Sequence, residues 1–199
     1  MKKVWDVVKD YVYIVVAVLI IRTFIVTPAI VSGASMDNTL ADGQLVVVNK
    51  FIYRFNDIKR FDIVVVDNES SNDKIIKRVI GLPNETIKYV VENDMNGNLK
   101  GILLINGERV EEDFIPDEAK LNTCIIRYQN GNLISDNALC NEGITIPEGH
   151  YYVMGDNRGV SKDSRALGTF SKSDLVGRVK YRLYPFSKFG NINKKEDFE

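Results

Sequence analysis

Beyond residue 40 the chain is cut into short runs of Val and Ile separated by turn residues, and this patterning restricts it to a sheet-rich fold. The runs cover 44–48, 62–66, 75–80 and 86–91. Each has the length of one strand and is too β-branched to favour a helix. Gly81-Leu82-Pro83-Asn84 separates the third run from the fourth, and Asn106-Gly107 between two apolar runs marks a two-residue hairpin. Further strands are predicted at 150–154 and 174–183. Between 92 and 147 the sequence is richer in Asn, Asp, Glu and Gly, which reads as hairpins and loops inserted into a core built from both flanks. The expected class is mainly β. Residues 27–91 and 148–187 would form the main domain, 92–147 an inserted β and loop subdomain, and 188–199 a tail.

The N-terminus differs from everything else. From Tyr11 to Ile21 it is unbroken apolar sequence, resuming after Arg22-Thr23 with Phe24-Ile25-Val26. This is short of the roughly 20 residues that span a bilayer. Counting from Val4 through Val26, with Arg22 snorkelling to the interface, makes a single transmembrane helix the expectation, with residues 1–26 as a short cytoplasmic stub and membrane anchor. A buried core helix is the first alternative, but the run lacks a polar face. A cleavable leader is the second, since Lys2 and Lys3 precede the run and small residues follow at 32–34. Charges on the two sides barely distinguish an orientation.

Composition removes several functions. The 26 Lys and Arg against 27 Asp and Glu give a net charge of -1, so there is no general attraction for nucleic acid. One histidine, His150, and two cysteines, Cys124 and Cys140, are too few for a structural zinc site, so neither metal nor cofactor is implied. A Ser-His-Asp triad would have to use His150. That residue stands at a strand start, where capping is the simpler role.

Three segments carry possible chemistry. In Ser32-Gly33-Ala34-Ser35-Met36 the small neighbours leave Ser35 open to another chain, although a turn serine looks the same. Lys77 lies inside an apolar strand beside Arg78, and alternation sends the two to opposite faces, so one must point inward unless the strand is an edge with both in solvent. A desolvated lysine loses basicity, and the neutral amine can accept a serine proton. The loop 155–168, Gly-Asp-Asn-Arg-Gly-Val-Ser-Lys-Asp-Ser-Arg-Ala-Leu-Gly, is either a solvated loop or a fixed scaffold of hydrogen bonds.

Together these segments resemble the bacterial type I signal peptidases. The likeness runs from the apolar N-terminus to about Leu183 and rests on four stretches in order. They are Ser32-Gly33-Ala34-Ser35-Met36, Lys59-Arg60-Phe61-Asp62-Ile63-Val64, Ile76-Lys77-Arg78-Val79-Ile80-Gly81-Leu82-Pro83, and the loop 155–168. Asn38, where many members have proline, and Asn84-Glu85, where Gly-Asp is common, depart from the pattern.

The resemblance implies a membrane-bound serine endopeptidase that removes signal peptides from preproteins, with Ser35 as nucleophile and Lys77 as general base. Ser161 would orient the lysine amine, and Asp163 would pair with Arg165 to hold the loop. Gly33 replaces the serine that helps bind the oxyanion in some members, leaving the Ser35 N–H as the main donor. Val31, Met36, Leu40, Ile75 and Ile76 would line pockets for small side chains. The expected partners are signal-peptide-bearing preproteins and the lipid bilayer. The expected location is the cell membrane, single-pass, with the catalytic domain on the extracytoplasmic side. That oxidising location suggests a disulfide between Cys124 and Cys140. Two rival readings are an inactive membrane-anchored scaffold, which the presence of both Ser35 and Lys77 opposes, and a self-cleaving Ser/Lys repressor, for which no DNA-recognition helix precedes Ser35.

Overall fold

The structure, a computed structural model, describes residues 2–20, 25–68, 73–124, 126–129, 132–135 and 137–192. The N-terminal helix α1 spans Lys2–Ile20. Its first half carries Lys2, Lys3, Asp6, Lys9 and Asp10. The apolar part after Asp10 reaches only about 15 Å at 1.5 Å per residue, half of a roughly 30 Å hydrocarbon core. Extension through Val26 fails because Val26 begins a strand. Arg22 and the rest of 21–24, like 193–199 of the expected tail, lie outside the described residues.

Among the described residues no helix is long and apolar enough to cross a membrane. The transmembrane helix, the lipid bilayer as partner, and the membrane-bound, single-pass placement with an extracytoplasmic domain are therefore corrected. The charged residues were counted into a span that cannot hold them in hydrocarbon.

The strands follow as β1 (Val26–Ile30), β2 (Leu45–Asn49), β3 (Ile63–Asn68), β4 (Asp73–Gly81), β5 (Thr86–Asn93), β6 (Leu99–Ile105) and β7 (Glu108–Val110). After helix α2 (Asp117–Leu121) come β8 (Ile126–Gln129) and β9 (Asn132–Ser135). Helix α3 (Ala138–Asn141), β10 (Ile144–Thr145) and β11 (His150–Met154) lead to helix α4 (Ser164–Leu167). The chain continues through β12 (Phe170–Ser171), β13 (Leu175–Tyr184) and β14 (Gly190–Asn191). The fold is mainly β, as the Val and Ile runs predict.

The larger sheet has the order β1-β2-β13-β3-β4-β11-β12, with β14 on β13. All its pairings are antiparallel, and β13 is inserted between β2 and β3. The smaller sheet has the order β10-β5-β6-β7, and β8 and β9 form a separate hairpin. Asn106 and Gly107 both take positive φ, 52° and 85°, as a two-residue hairpin whose twist matches its strands requires.

Three apolar clusters hold these layers. One, around Ile80, Tyr89, Leu103, Phe114, Leu139 and Met154, joins the smaller sheet to the larger. A second gathers Val31, Met36, Leu40, Val46, Ile63 and Val179, and a third Ile58, Val64, Val66, Val79 and Phe170. Cys124 and Cys140 are disulfide-bonded and tie the end of α2 to α3.

Candidate active site

Ser35 stands just after β1. The chain remains paired as it leaves the strand, with Val31 N–H donating to Gln44 O at 2.8 Å and Gly43 N–H to Val31 O at 2.9 Å. It then turns back at Gly33, whose φ of 84° suits glycine and whose N–H donates to Asp42 Oδ1 at 2.8 Å. Thr39 and Leu40 N–H groups both donate to Met36 O, closing a tight turn behind the serine. Ser35 is left half-buried, and its N–H has no partner among the described residues.

Lys77 sits where β4 changes neighbours. Residues 73–78 pair with β3, while the pairing with β11 covers only 78–81. From that point Lys77 Nζ donates to Ser35 Oγ at 2.7 Å and to its neighbour's carbonyl, Ile76 O, at 3.0 Å. The side chain is buried. Burial pushes the amine below its ordinary basicity, Asp163 and Asp156 push it back upward, and Arg165 adds to the lowering. The net direction is down, toward the neutral amine that can accept a proton.

Arg78 leaves β4 on the opposite face and is buried too, so both residues point inward. Its guanidinium forks onto Asp156, with Nε–Oδ1 at 2.9 Å and Nη2–Oδ2 at 2.6 Å. It also donates to Phe61 O at 3.1 Å and to Thr39 Oγ1 at 3.1 Å, and lies 3.9 Å from the Phe114 ring centroid. The Thr39 hydroxyl in turn donates to Asp156. This desolvated pair is tolerable because every charge meets several partners. It joins the turn behind Ser35, the strand of Lys77 and the loop after β11.

The loop itself is a scaffold and not a solvated excursion, with Asp156, Arg158, Asp163 and Ser164 all buried. Asp163 caps α4 and accepts from Arg165 Nε and Nη2, both at 2.9 Å, and from Gly155 N–H at 3.0 Å. Desolvation works to raise the Asp163 pKa, but the Arg165 bonds and charge and the Gly155 N–H outweigh it and hold the carboxyl below the usual range. Ser164 Oγ accepts from Val153 N–H at 2.9 Å, and Asn157 N–H donates to Ser35 O at 3.1 Å. Gly155 fits directly against Ser35: a Cβ there would lie 2.3 Å from Ser35 O and 2.2 Å from Ser161 Oγ.

The remaining expected residues are placed as follows. Ser161 Oγ is buried and has no partner within hydrogen-bond geometry among the described residues, although its hydroxyl is near enough to favour the Asp163 carboxylate. Val31, Met36 and Leu40 are deeply buried in one cluster, with Ile76 half-exposed against it, whereas Ile75 packs on the other face with Val64 and Val79. His150 is hydrogen-bonded through Nδ1 to Glu148 O at 3.0 Å. No cluster of metal-ligating side chains occurs among the described residues.

Sequence reasoning missed a second buried ion pair. Arg158 bonds Glu112, which also accepts from Tyr89 OH at 2.9 Å, and reaches Gly155 O at 3.1 Å and Thr123 Oγ1 at 2.9 Å. Glu112 stands inside the acidic run Glu111-Glu112-Asp113, and the available signal was only its period-two spacing with Val110 and Phe114, which puts it on their face of an extended chain.

A buried lysine amine on a serine hydroxyl, framed by a charged loop in a β fold, is the arrangement of a serine hydrolase that works without histidine. Residues 4–184 match the family described as signal peptidase, peptidase S26. The chain is 37% identical over 177 residues to signal peptidase IB of Staphylococcus aureus, covering 87% of this chain and 86% of that one. It is 36% identical over 193 residues to signal peptidase I of Streptococcus pneumoniae, covering 86% and 88%. A crystal structure of a signal peptidase I from Enterococcus faecalis matches with 32% identity and a TM-score of 0.44, over 62% of this chain and 97% of that one. The chain belongs to the signal peptidase family, peptidase S26, and is a serine endopeptidase.

Proposed function

We propose that Ser35 is the nucleophile and Lys77 the general base of an endopeptidase that removes signal peptides from preproteins. The observation that carries this reading is the 2.7 Å contact between Lys77 Nζ and Ser35 Oγ, with the amine buried. Neutral Lys77 takes the Ser35 proton as Oγ bonds to the scissile carbonyl carbon. The tetrahedral intermediate collapses, the amine leaves with the proton carried by Lys77, and an ester on Ser35 remains. Lys77 then deprotonates a water that cleaves the ester, and the proton returns to Ser35. The Ser35 N–H serves the oxyanion. Ser161 lies against the same glycine as Ser35, and its free hydroxyl takes a hydrogen bond from the lysine once Ser35 has lost its proton.

The family and the strand edge both support this substrate class. Among the described residues, 73–77 of β4 are paired by β3 alone, which leaves the other edge for an extended segment leading to Lys77. Alternate residues of that segment face the enzyme together. Val31, Met36 and Leu40 are buried in one cluster with Ile76 packed against it, an apolar surface that suits a small side chain such as alanine. Ser35→Ala and Lys77→Ala should each lower kcat/KM on a preprotein by roughly 10³-fold or more, and together no further than either alone. A folded Lys77→Ala enzyme with near-normal turnover sinks the assignment.

A further inference from the structure

Thr123 is fully buried, and its partners frame the loop that carries Gly155, Ser161 and Asp163. Its Oγ1 accepts from Arg158 Nη1 at 2.9 Å, and its carbonyl accepts from Arg165 Nη1 at 3.4 Å and from Asn137 Nδ2 at 3.2 Å. Arg158 passes the contact on to Gly155 O, at the start of the loop. Arg165 passes it to Ser161 O at 3.3 Å and to both oxygens of Asp163, at the loop's end. One threonine therefore touches the arginines that hold the two ends of the loop.

Thr123 is itself held from the other side. The next residue, Cys124, is bonded to Cys140 in α3, and Asn137, which binds the Thr123 carbonyl, is the N-cap of that helix. The space where these groups meet is an open concavity of about 440 Å³, lined by Thr123, Asn137, Ala138, Arg158, Ser161 and Arg165 among others. Thr123 thus gives each arginine one further bond beside the carboxylate it already holds, Glu112 for Arg158 and Asp163 for Arg165.

We propose that Thr123 is a positioning residue for the Ser35–Lys77 reaction and that the Cys124–Cys140 disulfide is the latch that holds it, so that full turnover requires the oxidised protein. This rests on the catalytic reading above. Opening the latch takes an external dithiol: the S–S bond breaks, both sulfurs gain an electron and a proton, and the dithiol is oxidised to its own disulfide. Arg158 still has Glu112 and Arg165 still has Asp163, so the loop shifts but does not collapse. The open edge of β4 is untouched, so substrate binding is preserved while the chemical step suffers.

The pH profile separates this from a merely structural role. The Lys77 amine is faced by Ser35 Oγ and Ile76 O, by Asp156, Asp163 and Arg165 from the loop, while Arg78 points away on the other face. Burial lowers the basicity of the amine, against the pull of Asp163 and Asp156. A loosened loop admits water, raises the basicity of Lys77 and moves the rising limb of the rate to higher pH.

The test compares wild type, Thr123→Val, Thr123→Ser, and wild type reduced by a dithiol with its two thiols counted by alkylation. The assay is cleavage of a fluorogenic peptide with alanine before the cut. Thr123→Val and the reduced enzyme should lose about tenfold in kcat, with KM within about twofold and the rising limb displaced to higher pH, and Thr123→Ser should restore both. Wild-type kcat and an unmoved limb in the fully reduced enzyme overturn the proposal. If Thr123→Val does not fold, the reduced wild-type enzyme decides alone. Inactive Ser35→Ala and Lys77→Ala beside a full-rate reduced enzyme reject this inference only, whereas an active Ser35→Ala rejects the catalytic reading beneath it.

Discussion

Gly155→Ala should be the most informative single methyl group that can be added to this protein. The new Cβ would lie 2.3 Å from Ser35 O, 2.2 Å from Ser161 Oγ and 2.6 Å from Ser161 Cβ. Ordinary contacts begin near 3.5 Å, so the Ser35 carbonyl has to retreat by about 1.2 Å. It is main chain and cannot swing aside as a side-chain tip can. Its retreat stretches the 3.1 Å bond from Asn157 N–H and carries Oγ away from Lys77 Nζ. A misplacement of about 1 Å costs on the order of 10²-fold in rate, or about 2.7 kcal/mol of barrier. Overpacking adds about 1–3 kcal/mol of lost stability. Steady-state cleavage of a fluorogenic peptide should show the loss in kcat with KM little changed. Gly159→Ala is the matched control, because its Cβ would meet only the Asn122 side chain, at 3.8–3.9 Å. Gly155→Ala with kcat within threefold of wild type would refute the idea that this contact sets the position of the nucleophile.

Lys77→Met should be more stable than wild type near neutral pH, by about 1.4 kcal/mol for each unit of basicity that burial removes from Lys77. In that range the unfolded chain binds the proton more readily than the folded one, so wild-type stability rises with pH up to about 10.4 and the difference closes; urea titrations showing a pH-independent gap would contradict this. Asp156→Asn strands the buried Arg78 charge and should cost about 3–5 kcal/mol, a drop of roughly 6–20 °C in Tm by calorimetry, with the Arg78→Met/Asp156→Asn double variant regaining more than half. In Asp156→Asn the rate limb should also move to lower pH, since one of the two carboxylates that favour the charged lysine is gone.

Much of the fold was legible because local chemistry dictated it. The β-branched runs became β2 through β5 with ends displaced by a residue or two, and Asn106-Gly107 formed the turn its two positive φ angles demand. The ambiguity at Lys77 and Arg78 had a different source. Alternation assigns the faces of a strand but not what covers them, and here both faces are covered. The partners of the loop were illegible for the same reason, since Arg158 meets Glu112 and Arg78 meets Asp156 across 46 and 78 positions with no local signature. At the N-terminus the apolar letters were read correctly. The error lay in passing over the charges that share their helix.

The position of β13 governs when this protease comes into existence. Strands β2 and β3 never touch in the sheet; β13, from the far end of the chain, separates them and pairs with both. Its Arg182 donates to Thr39 O and Gln44 Oε1, fastening the turn behind Ser35 from 143 and 138 positions away. A growing chain that has already exposed Ser35 and Lys77 still has no surface to bring the two together. Synthesis must pass residue 184 before they can meet, and such long loop closures make the final assembly slow. Synthesis order thus acts as a safety catch, and the peptidase stays inert throughout its own emergence.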